Sequence, residues 1–334
     1  MISDPRPALL ALINGFQVTQ AIHVAAVLRV ADHLDGGPRS AGELAALTKS
    51  DPDSLYRLLR ALAAVGVFRE DEDRTFALTP MGDCLRANSA TPLGAWAEVV
   101  GSPYYWLAWG HLLHSVQTGE SAFQNLNGKD VWRYRAEHLE QGTTFDRAMT
   151  QLSGGGAEAV IRAYDFSTFC HIVDVGGGQG LLLNAILRAH PHMRGTLFDQ
   201  PGVLAGAGTA LTTDGVIDRC NIVGGSFFDA VPPGADAYLM RLIIHDWEDD
   251  EAVAILRVCR RAMPETARLL LVERLVAPPN EVRATKFADL NMLILTGGRE
   301  RTREEFSDLL ARSGFELTRV FPADTHHVIE ARPR

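Results

Sequence analysis

The stretch HIVDVGGGQG, residues 171–180, decides the fold because its pattern predicts a buried strand, a glycine-rich turn and the start of a helix. Glycine lets the backbone turn tightly and approach a ligand closely, and open α/β sheets bind ligands at the carboxyl edge of their strands. The dinucleotide fingerprint G-x-G-x-x-G does not fit, since Leu181 stands where the third glycine would be. The residues follow D-x-G-x-G-x-G instead, and the turn at Asp174, Gly176 and Gly178 is therefore a candidate ligand-binding loop of another kind.

Strand and helix patterns alternate around this turn, as a parallel α/β sheet requires. Strands are predicted at residues 171–177, 195–199, 220–228, 236–244, 268–275, 315–321 and 326–331. Only a short turn separates the last two, so one of them must run antiparallel to its neighbour. The predicted fold class is therefore α/β, with a mostly parallel sheet and an antiparallel last strand.

Length and composition limit the other possibilities. A chain of 334 residues exceeds what one hydrophobic core usually organises, so two domains are expected. A composition of 46% hydrophobic and 22% charged residues is that of an ordinary globular protein. The formal charge of -9 disfavours a protein that grips a polyanion, because phosphate binding needs clustered Lys and Arg. We therefore expect no nucleic-acid partner.

Cysteine usage and the N-terminus indicate the compartment. The four cysteines are scattered without a C-x-x-C pair, which fits a reducing cytoplasm. The longest apolar stretch, residues 9–34, has helical spacing but is interrupted by polar side chains, so we expect neither export nor a membrane span. Such an apolar helix could pack in the core or against a second subunit.

The segment from residue 40 to residue 82 predicts a helix, a turn, a second helix and a hairpin, which is a winged-helix layout. Ser40 with Glu43 forms a capping-box signature, and Asp51 before Pro52 predicts the start of the second helix. Winged helices often bind DNA, so a regulator is an alternative. Residues 40–87 hold six basic against eight acidic residues, however, which argues against a phosphate-binding face.

A run of small residues at 153–156 predicts the boundary between the two domains, since glycine has little helical preference. We expect a mostly helical N-terminal domain at 1–152 and a catalytic domain at 153–334. Many aromatic side chains lie between residues 93 and 150, where they could form core contacts or line a pocket for a flat ligand.

A second acidic residue follows the glycine loop. Asp199 ends the next predicted strand, where a carboxylate can accept hydrogen bonds from both hydroxyls of a ribose. An isolated Asp before Gln200 and Pro201 could instead cap a turn. A nicotinamide-dependent dehydrogenase uses the same acid, but the glycine spacing argues against it.

Three further residues fall near the same sheet edge. His245 follows a buried strand, Glu273 ends another, and Glu300 precedes a helix. A buried Glu in an apolar strand needs a partner, and histidine is a natural one. A carboxylate that accepts from one ring nitrogen leaves the other nitrogen available to take a proton. Pairs of histidines elsewhere lack a third ligand at a recognisable spacing, so no metal is expected.

Five motifs in order resemble the caffeate, flavonoid and bacterial polyketide O-methyltransferases over nearly the whole chain: D-V-G-G-G-x-G, F-D-x-P, H-D-W-x-D, L-x-V-E and G-G-x-E-R-T. The loop itself is similar to that of class I S-adenosylmethionine-dependent methyltransferases. The resemblance implies a Rossmann-like methyltransferase sheet, an N-terminal winged-helix dimerisation domain and a homodimer. It also implies S-adenosylmethionine as methyl donor, no metal, and an aromatic small molecule with a hydroxyl group as acceptor.

The resemblance also implies roles for single residues. His245 would be the general base, oriented by Glu273 and Glu300. Cofactor-binding residues would be Asp174, Gly176, Gly178, Asp199, Ser226, Phe227, Arg241 and Trp247, and acceptor-lining residues would be Phe145, Met149, Asp246, Asn291, Met292 and Leu295. One departure stands out, because Ser226 occupies the place where relatives carry an Asp that binds the adenine amino group. Some proteins resembling this family perform hydroxylation or decarboxylation, which is the alternative function.

Overall fold

The computed structural model describes residues 4–153, 156–213 and 215–334. The chain divides into two compact units. One comprises Met1–Leu107 and Trp132–Leu152, and the other Ala108–Val131 and Ser153–Arg334, each within the described ranges. The predicted boundary at 153–156 includes Gly154 and Gly155, which lie outside the described residues.

The regular elements follow one another along the described chain. The helices are α1 (Arg6–Ile13), α2 (Gly15–Val27), α3 (Val30–His33), α4 (Ala41–Thr48), α5 (Pro52–Ala64), α6 (Pro80–Asp83), α7 (Gly94–Gly101), α8 (Pro103–Gly110), α9 (Leu112–Thr118), α10 (Ala122–Asn127), α11 (Val131–Glu137), α12 (Leu139–Ser153), α13 (Gly156–Ala163), α14 (Leu181–Ala189), α15 (Ala207–Thr213), α16 (Asp249–Ala262), α17 (Arg283–Leu295) and α18 (Arg303–Arg312). The strands are β1 (Arg39–Ser40), β2 (Phe68–Asp71), β3 (Thr75–Leu78), β4 (His171–Val175), β5 (Arg194–Asp199), β6 (Cys220–Gly224), β7 (Ala237–Arg241), β8 (Arg268–Glu273), β9 (Phe315–Ala323) and β10 (His326–Pro333).

The first unit contains the predicted winged-helix layout. Ser40 and Glu43 form the capping box at the start of α4, and Asp51 accepts a hydrogen bond from the backbone N–H of Ser54 at the start of α5. Strands β1, β3 and β2 form a small antiparallel sheet in that order. Apolar side chains from α4, α5 and these strands form one buried cluster.

The first two helices leave many of their large apolar side chains in solvent. The residues on α1 and α2 that stay exposed in the single chain include Leu9, Leu10, Leu12, Ile13, Phe16, Val24 and Val27. By length and composition alone, the stretch Arg6–Val27 could also cross a bilayer. Asn14 separates it into two helices.

The second unit is built on a seven-stranded sheet with the order β6-β5-β4-β7-β8-β10-β9. The strands β6, β5, β4, β7 and β8 pair in parallel, whereas β10 runs antiparallel to both β8 and β9. This topology confirms the predicted α/β fold, with its mostly parallel sheet and antiparallel last strand.

Both faces of this sheet are buried, as expected for parallel strands. Val173 and Tyr238 pack with residues of α16 and α18, and Ile172 and Leu239 pack with residues of α13 and α14. The carboxyl ends of the parallel strands therefore lie along one edge, where the loops carry the candidate site residues.

Four of the predicted strands extend too far at this edge. The structure ends β4 at Val175, β6 at Gly224, β7 at Arg241 and β8 at Glu273. The apolar runs that suggested longer strands continue into loops, and these loops carry aromatic and catalytic candidates. Hydrophobic pattern alone does not distinguish a buried loop residue from a strand residue.

The division into compact units does not follow the predicted domain limits, 1–152 and 153–334, at every point. Residues 108–131 belong to the second unit. The Trp109 indole Nε1 donates to Asn291 Oδ1 at 3.2 Å, and Ser121 Oγ lies 3.1 Å from the carbonyl oxygens of Ile294 and Leu295. These contacts join residues far apart in the chain, so a local composition shift cannot reveal them.

Candidate active site

The glycine-rich turn adopts a conformation that side chains would prevent. Gly176 and Gly178 have φ angles of +71° and +58°, in the left-handed region that favours glycine. A Cβ on Gly176 would lie 2.5 Å from the Ile243 side chain. The turn is closed by a hydrogen bond from the Gly176 N–H to the carbonyl of Phe198, at 2.8 Å. The backbone can therefore approach a ligand at this point.

Asp199 stands beside this turn at the end of β5. Its Oδ2 accepts a hydrogen bond from the Gly178 N–H at 2.9 Å, and its Oδ1 accepts from the Gln200 N–H at 2.6 Å. Burial raises the pKa of this carboxyl, while the two N–H groups act in the opposite direction. Each carboxylate oxygen has two lone pairs, so both retain acceptor capacity for a ligand.

Asp174 is buried at the end of the strand that leads into the turn, and the half-buried Arg241 is close enough for its charge to act on it. Burial, assisted by the charge of Asp199, raises the pKa of Asp174 to about 7, and Arg241 counteracts this shift. Asp174 Oδ1 and Arg241 Nε have no hydrogen-bond partner within the described part of the chain. A Cβ on Gly156 would lie 2.3 Å from the Arg241 guanidinium, so glycine at the start of α13 makes room for this side chain.

Aromatic side chains occupy the next part of the carboxyl edge of the sheet. The Trp247 ring lies edge-on to Phe227 and Phe228, with centroid distances of 6.0 Å and 4.8 Å. Ser226 Oγ accepts a hydrogen bond from the Phe228 N–H at 3.2 Å, so the hydroxyl stabilises its own turn. The structure thus brings Phe227 and Trp247 together, as a flat ligand such as adenine would require.

The buried imidazole of His245 contacts a glutamate directly. His245 Nδ1 and Glu300 Oε1 are 3.1 Å apart, and the same oxygen accepts from Arg274 Nη1 at 3.3 Å. Burial alone would raise the pKa of Glu300, but hydrogen bonds from His245 and the charge of Arg274 lower it. Since an ionised carboxylate only accepts hydrogen bonds, Nδ1 is the donor. Nε2 is then the ring nitrogen that can exchange a proton.

Glu273 contacts the backbone just before the histidine. Its Oε1 accepts hydrogen bonds from the backbone N–H groups of Ile243, at 3.1 Å, and Ile244, at 2.8 Å. Its Oε2 lies 3.9 Å from His245 Nδ1, too far for a hydrogen bond. Of the two glutamates expected to orient the ring, Glu300 is the one within hydrogen-bond distance, whereas Glu273 binds the loop before the histidine, and its role in orienting the ring stays a prediction. The N–H groups are the nearer partners of Glu273 because the chain turns sharply at Leu242, where φ is +54°.

Three carboxyl groups determine the charge of the imidazole. Burial alone would lower the pKa of His245, but the charges of Asp246, Glu273 and Glu300 outweigh it and raise the pKa to about 9. Asp246 Oδ1 lies 3.7 Å from Nε2. Sequence spacing did not reveal this number of nearby acids.

The same cluster has the spacing of a possible metal site. His245, Glu273 and Glu300 each offer one ligand atom, and these atoms lie within 4.8 Å of one another. Glu300 Oε1 already accepts from two donors, however, and the guanidinium of Arg274 would repel a divalent cation. The donor set suits proton transfer better than metal binding.

Three of the acceptor-lining candidates of the second unit lie on α17, and the fourth, Asp246, directly follows His245. Asn291 is half-buried on α17, and its Oδ1 accepts from the Trp109 indole. Met292 and Leu295 are buried. Their position near the acceptor stays a prediction.

The other two candidates belong to the first unit. Phe145 and Met149 are half-buried on α12. The guanidinium carbon of Arg135 lies 3.4 Å from the centre of the Phe145 ring, and the Trp132 ring is edge-on to it at 6.1 Å. This cluster is polar on one side and aromatic on the other, and its role for the acceptor is also a prediction.

Three charged residues that support the site were not singled out from the sequence. Arg274 contacts Glu300, and Asp289 Oδ1 accepts from the Glu300 N–H at 2.9 Å. Arg301 is buried behind the histidine loop. The only local signal for two of them was their place directly after a motif glutamate, in L-x-V-E and G-G-x-E-R-T.

The site residues fit a cofactor with a nucleoside and an amino-acid group. Asp199 offers a carboxylate for ribose hydroxyls, and the turn at 176–180 allows close backbone approach. The unsatisfied polar atoms of Asp174 and Arg241 are uncommon for a buried position and are explained by a polar ligand nearby.

Comparisons with known proteins identify the class. Residues 109–316 match the model of the O-methyltransferase domain, and residues 10–88 match that of the O-methyltransferase dimerisation domain. The phenazine O-methyltransferase PhzM of Lysobacter antibioticus is 44% identical over 326 residues, covering 97% of this chain and 95% of that protein. The crystal structure of LaPhzM matches with a TM-score of 0.95, 44% identity and coverage of 99% and 100% of the two chains.

Two further relatives bear on the chemistry. The O-methyltransferase NcsB1, crystallised with S-adenosylmethionine and 2-hydroxy-5-methyl naphthoic acid, matches with a TM-score of 0.83 and 34% identity, covering 95% of this chain and 96% of that one. The aclacinomycin 10-hydroxylase RdmB of Streptomyces purpurascens is 35% identical, covering 92% of this chain and 84% of that protein.

Fold, glycine turn and comparisons together define an S-adenosylmethionine-dependent methyltransferase. Within this class, the chain belongs to the O-methyltransferase family and carries the dimerisation domain of that family.

Proposed function

We propose that this enzyme methylates a hydroxyl group of a flat aromatic natural product, with His245 as the general base. The observation that best supports this proposal is the buried contact between His245 Nδ1 and Glu300 Oε1, at the sheet edge where the cofactor turn also lies. It fixes the ring and leaves Nε2 to face the acceptor. Named relatives act on phenazine and naphthoate compounds, which support a ring system of this kind.

The cofactor contacts belong to the same proposal. Asp199 holds the ribose hydroxyls, Gly176 and Gly178 allow backbone contact, and the rings of Phe227 and Trp247 pack against adenine. When bound, S-adenosylmethionine supplies an electrophilic methyl group on a positively charged sulfur. A sulfonium needs no further activation, so the protein has to position the acceptor and remove its proton.

His245 performs the proton transfer. A phenol with a pKa of about 10 is mostly protonated at neutral pH. As its proton moves to Nε2, the electron pair of the O–H bond stays on oxygen, which becomes the nucleophile. Glu300, Glu273 and Asp246 stabilise the imidazolium that forms, and burial of the site keeps water from competing for the proton.

Substitution of the base tests this mechanism. In His245→Gln we expect the rate of methyl transfer to fall by roughly 100-fold or more, with cofactor affinity unchanged. His171→Gln is the matched control, since His171 lies at the opposite edge of the sheet and contacts Thr196. Methylated product and S-adenosylhomocysteine are measured by mass spectrometry with a panel of hydroxylated aromatics. Equal turnover in the two variants would remove His245 from the mechanism.

Hydroxylation is the second candidate, because one relative at 35% identity is a hydroxylase. The base and carboxylates around His245 favour methylation, since deprotonating a hydroxyl is the step that methyl transfer requires. The two reactions differ in their products. Methylation gives a product that is 14 mass units heavier than the acceptor for each methyl group transferred, and it forms equally well with and without oxygen. Hydroxylation adds one oxygen atom to the acceptor and requires oxygen.

We further propose that the enzyme is a homodimer in the cytoplasm. The exposed apolar side chains of α1 and α2 fall largely in the region that matches the dimerisation domain, and a partner subunit would cover them. All four cysteines are free, as a reducing compartment favours. Light scattering should give twice the chain mass, and Leu12→Glu with Phe16→Glu should give the single chain. A single-chain mass for the wild type would contradict the dimer.

A further inference from the structure

Arg301 is the largest side chain that the described part of the protein buries completely, with 1% of its surface exposed. All five of its N–H donors have acceptors. Nε and Nη2 donate to Asp249 Oδ1, Nη2 also donates to the Trp247 carbonyl, and Nη1 donates to the carbonyls of Ile244 and Arg299, at distances from 2.8 to 3.3 Å. A guanidinium can make no further hydrogen bonds.

These acceptors surround the base. Ile244 precedes His245 in the chain, Trp247 follows it by two residues, and Asp249 begins the next helix. The guanidinium therefore holds the histidine loop, residues 244–249, on both sides of the imidazole. A planar group with fixed donors restricts the loop more than a flexible ammonium would.

The segment that carries Arg301 contacts the same loop through its backbone. The Arg299 N–H donates to the His245 carbonyl at 2.9 Å. A Cβ on Gly298 would lie 2.1 Å from that carbonyl oxygen, so only glycine permits this approach. The histidine loop and residues 298–301 thus form one closely connected structure.

The segment that follows Glu273 is also hydrogen-bonded to Arg301. The Arg301 carbonyl accepts from the Val276 N–H at 3.0 Å, three residues beyond Glu273. Arg301 also directly follows Glu300, which contacts the imidazole. One residue therefore links the segments of all three members of the His-Glu-Glu cluster.

Fold stability alone does not account for this arginine. Burying a charged group costs several kcal/mol, and apolar side chains of similar volume often stabilise a core equally well. Its ionic partner, Asp249, is 42% exposed and so compensates the charge only in part. The donor geometry accounts for a guanidinium at this position, because it matches carbonyls on two loops.

We propose that Arg301 is a positioning residue that sets the contact between His245 Nδ1 and Glu300 Oε1. This inference rests on the proposed role of His245. Arg301 reaches no reacting atom, and it acts by fixing the histidine loop against the segment of Glu300. Loss of its hydrogen bonds lets the two segments separate, which weakens both the orientation of the ring and the stabilisation of its charged form.

Arg301→Lys tests the proposal, with Arg312→Lys as the matched control. Arg312 lies 3.7 Å from the other oxygen of Asp249 and pairs with Asp250, but among the described residues it forms no hydrogen bond or ion pair with residues 244–248 of the histidine loop. We expect kcat of Arg301→Lys to fall about 10- to 100-fold, because small misplacements of catalytic groups have effects of this size. Cofactor affinity should stay within about twofold, and the control should match the wild type.

The titration midpoint of the His245 ring is a second measurement. A general loss of folded protein would not change this midpoint. The titration of the His245 ring is followed by NMR in the cofactor-free enzyme, with the resonance assigned by its absence in His245→Gln. In Arg301→Lys, the midpoint should shift to lower pH, towards that of a free imidazole. An unchanged midpoint with folded protein would overturn the proposal.

A double-mutant cycle separates positioning from independent effects. If Arg301 acts through Glu300, the rate loss of Arg301→Lys should largely vanish in a Glu300→Gln background, and fully multiplying losses would contradict it. Should Arg301→Lys fail to fold, Gly298→Ala displaces the same loop and must give the same two shifts. If His245→Gln retains turnover, the proposed function fails, whereas the NMR titration still decides whether Arg301 fixes the ring.

Discussion

The histidine loop, residues 244–249, and the cofactor turn, residues 176–180, lie at the same edge of the sheet but are stabilised differently. Side chains hold the histidine loop: Glu273 binds its first N–H groups, and Arg301 binds its carbonyls. Backbone geometry characterises the cofactor turn, where Gly176, Gly178 and Gly180 have positive φ angles. Near the turn, buried polar atoms of Asp174 and Arg241 have no described partner.

The difference fits the roles proposed for the two segments. A general base must be in place before the acceptor arrives, so its orientation and charge are fixed by groups already present. A turn that binds a ligand through its backbone needs space and unsatisfied polar groups, which the ligand then satisfies. Substitutions in the two segments should therefore change different measured quantities.

The largest effect is expected in the cofactor region, apart from loss of the base itself. Asp199→Ala should weaken cofactor binding by about 100-fold, because hydrogen bonds from ribose hydroxyls to a charged group contribute about 1.5–3 kcal/mol each. Isothermal titration calorimetry measures this, with the exposed Asp218→Ala as control. The pH dependence of turnover at saturating cofactor should not change. A loss below about threefold would show that Asp199 does not bind the ribose.

Around His245 we expect a smaller effect, on kcat and its pH dependence rather than on cofactor affinity. Glu300→Gln keeps an acceptor for His245 Nδ1 but removes one negative charge, so we expect kcat to fall about 10-fold. As the proposed base, His245 must be neutral to take a proton, and its raised pKa is expected to place the rise of activity at alkaline pH in the wild type. Without the charge of Glu300 the pKa falls, and the rise should move to lower pH.

Turnover between pH 6 and pH 10, at saturating cofactor and acceptor, checks this shift. The exposed Glu251→Gln on α16 is the control. Cofactor affinity should be the same in all three proteins. A profile that stays in place in Glu300→Gln would show that another carboxylate, not Glu300, sets the charge of the base.

The smallest effect concerns the adenine end of the cofactor region. Ser226→Asp provides a charged acceptor for an amino group, worth about 1 kcal/mol, so cofactor affinity should increase by roughly fivefold. Ser226→Ala is the control and should bind the cofactor no more tightly than the wild type. Calorimetry distinguishes the three proteins. Weaker binding in Ser226→Asp would show that this turn does not face the adenine amino group.

The sequence by itself determined the features that depend on neighbouring residues. Alternating patterns gave the seven strands of the main sheet, and the capping box at Ser40 and Glu43 gave the start of a helix. The glycine spacing at 176–180 indicated the type of turn. These signals act over a few residues, because helix caps, strand alternation and turn conformations are local interactions.

Only the tertiary structure decided which groups meet. Residues 108–131 join the second unit, Glu273 binds backbone N–H groups instead of the imidazole, and three acids raise the pKa of His245. Arg301 contacts a loop more than fifty residues away in the chain. The strength of hydrogen bonds and of charge interactions depends on distances of a few ångströms in space. These distances are set by the packing of the whole sheet and its helices, not by spacing along the chain.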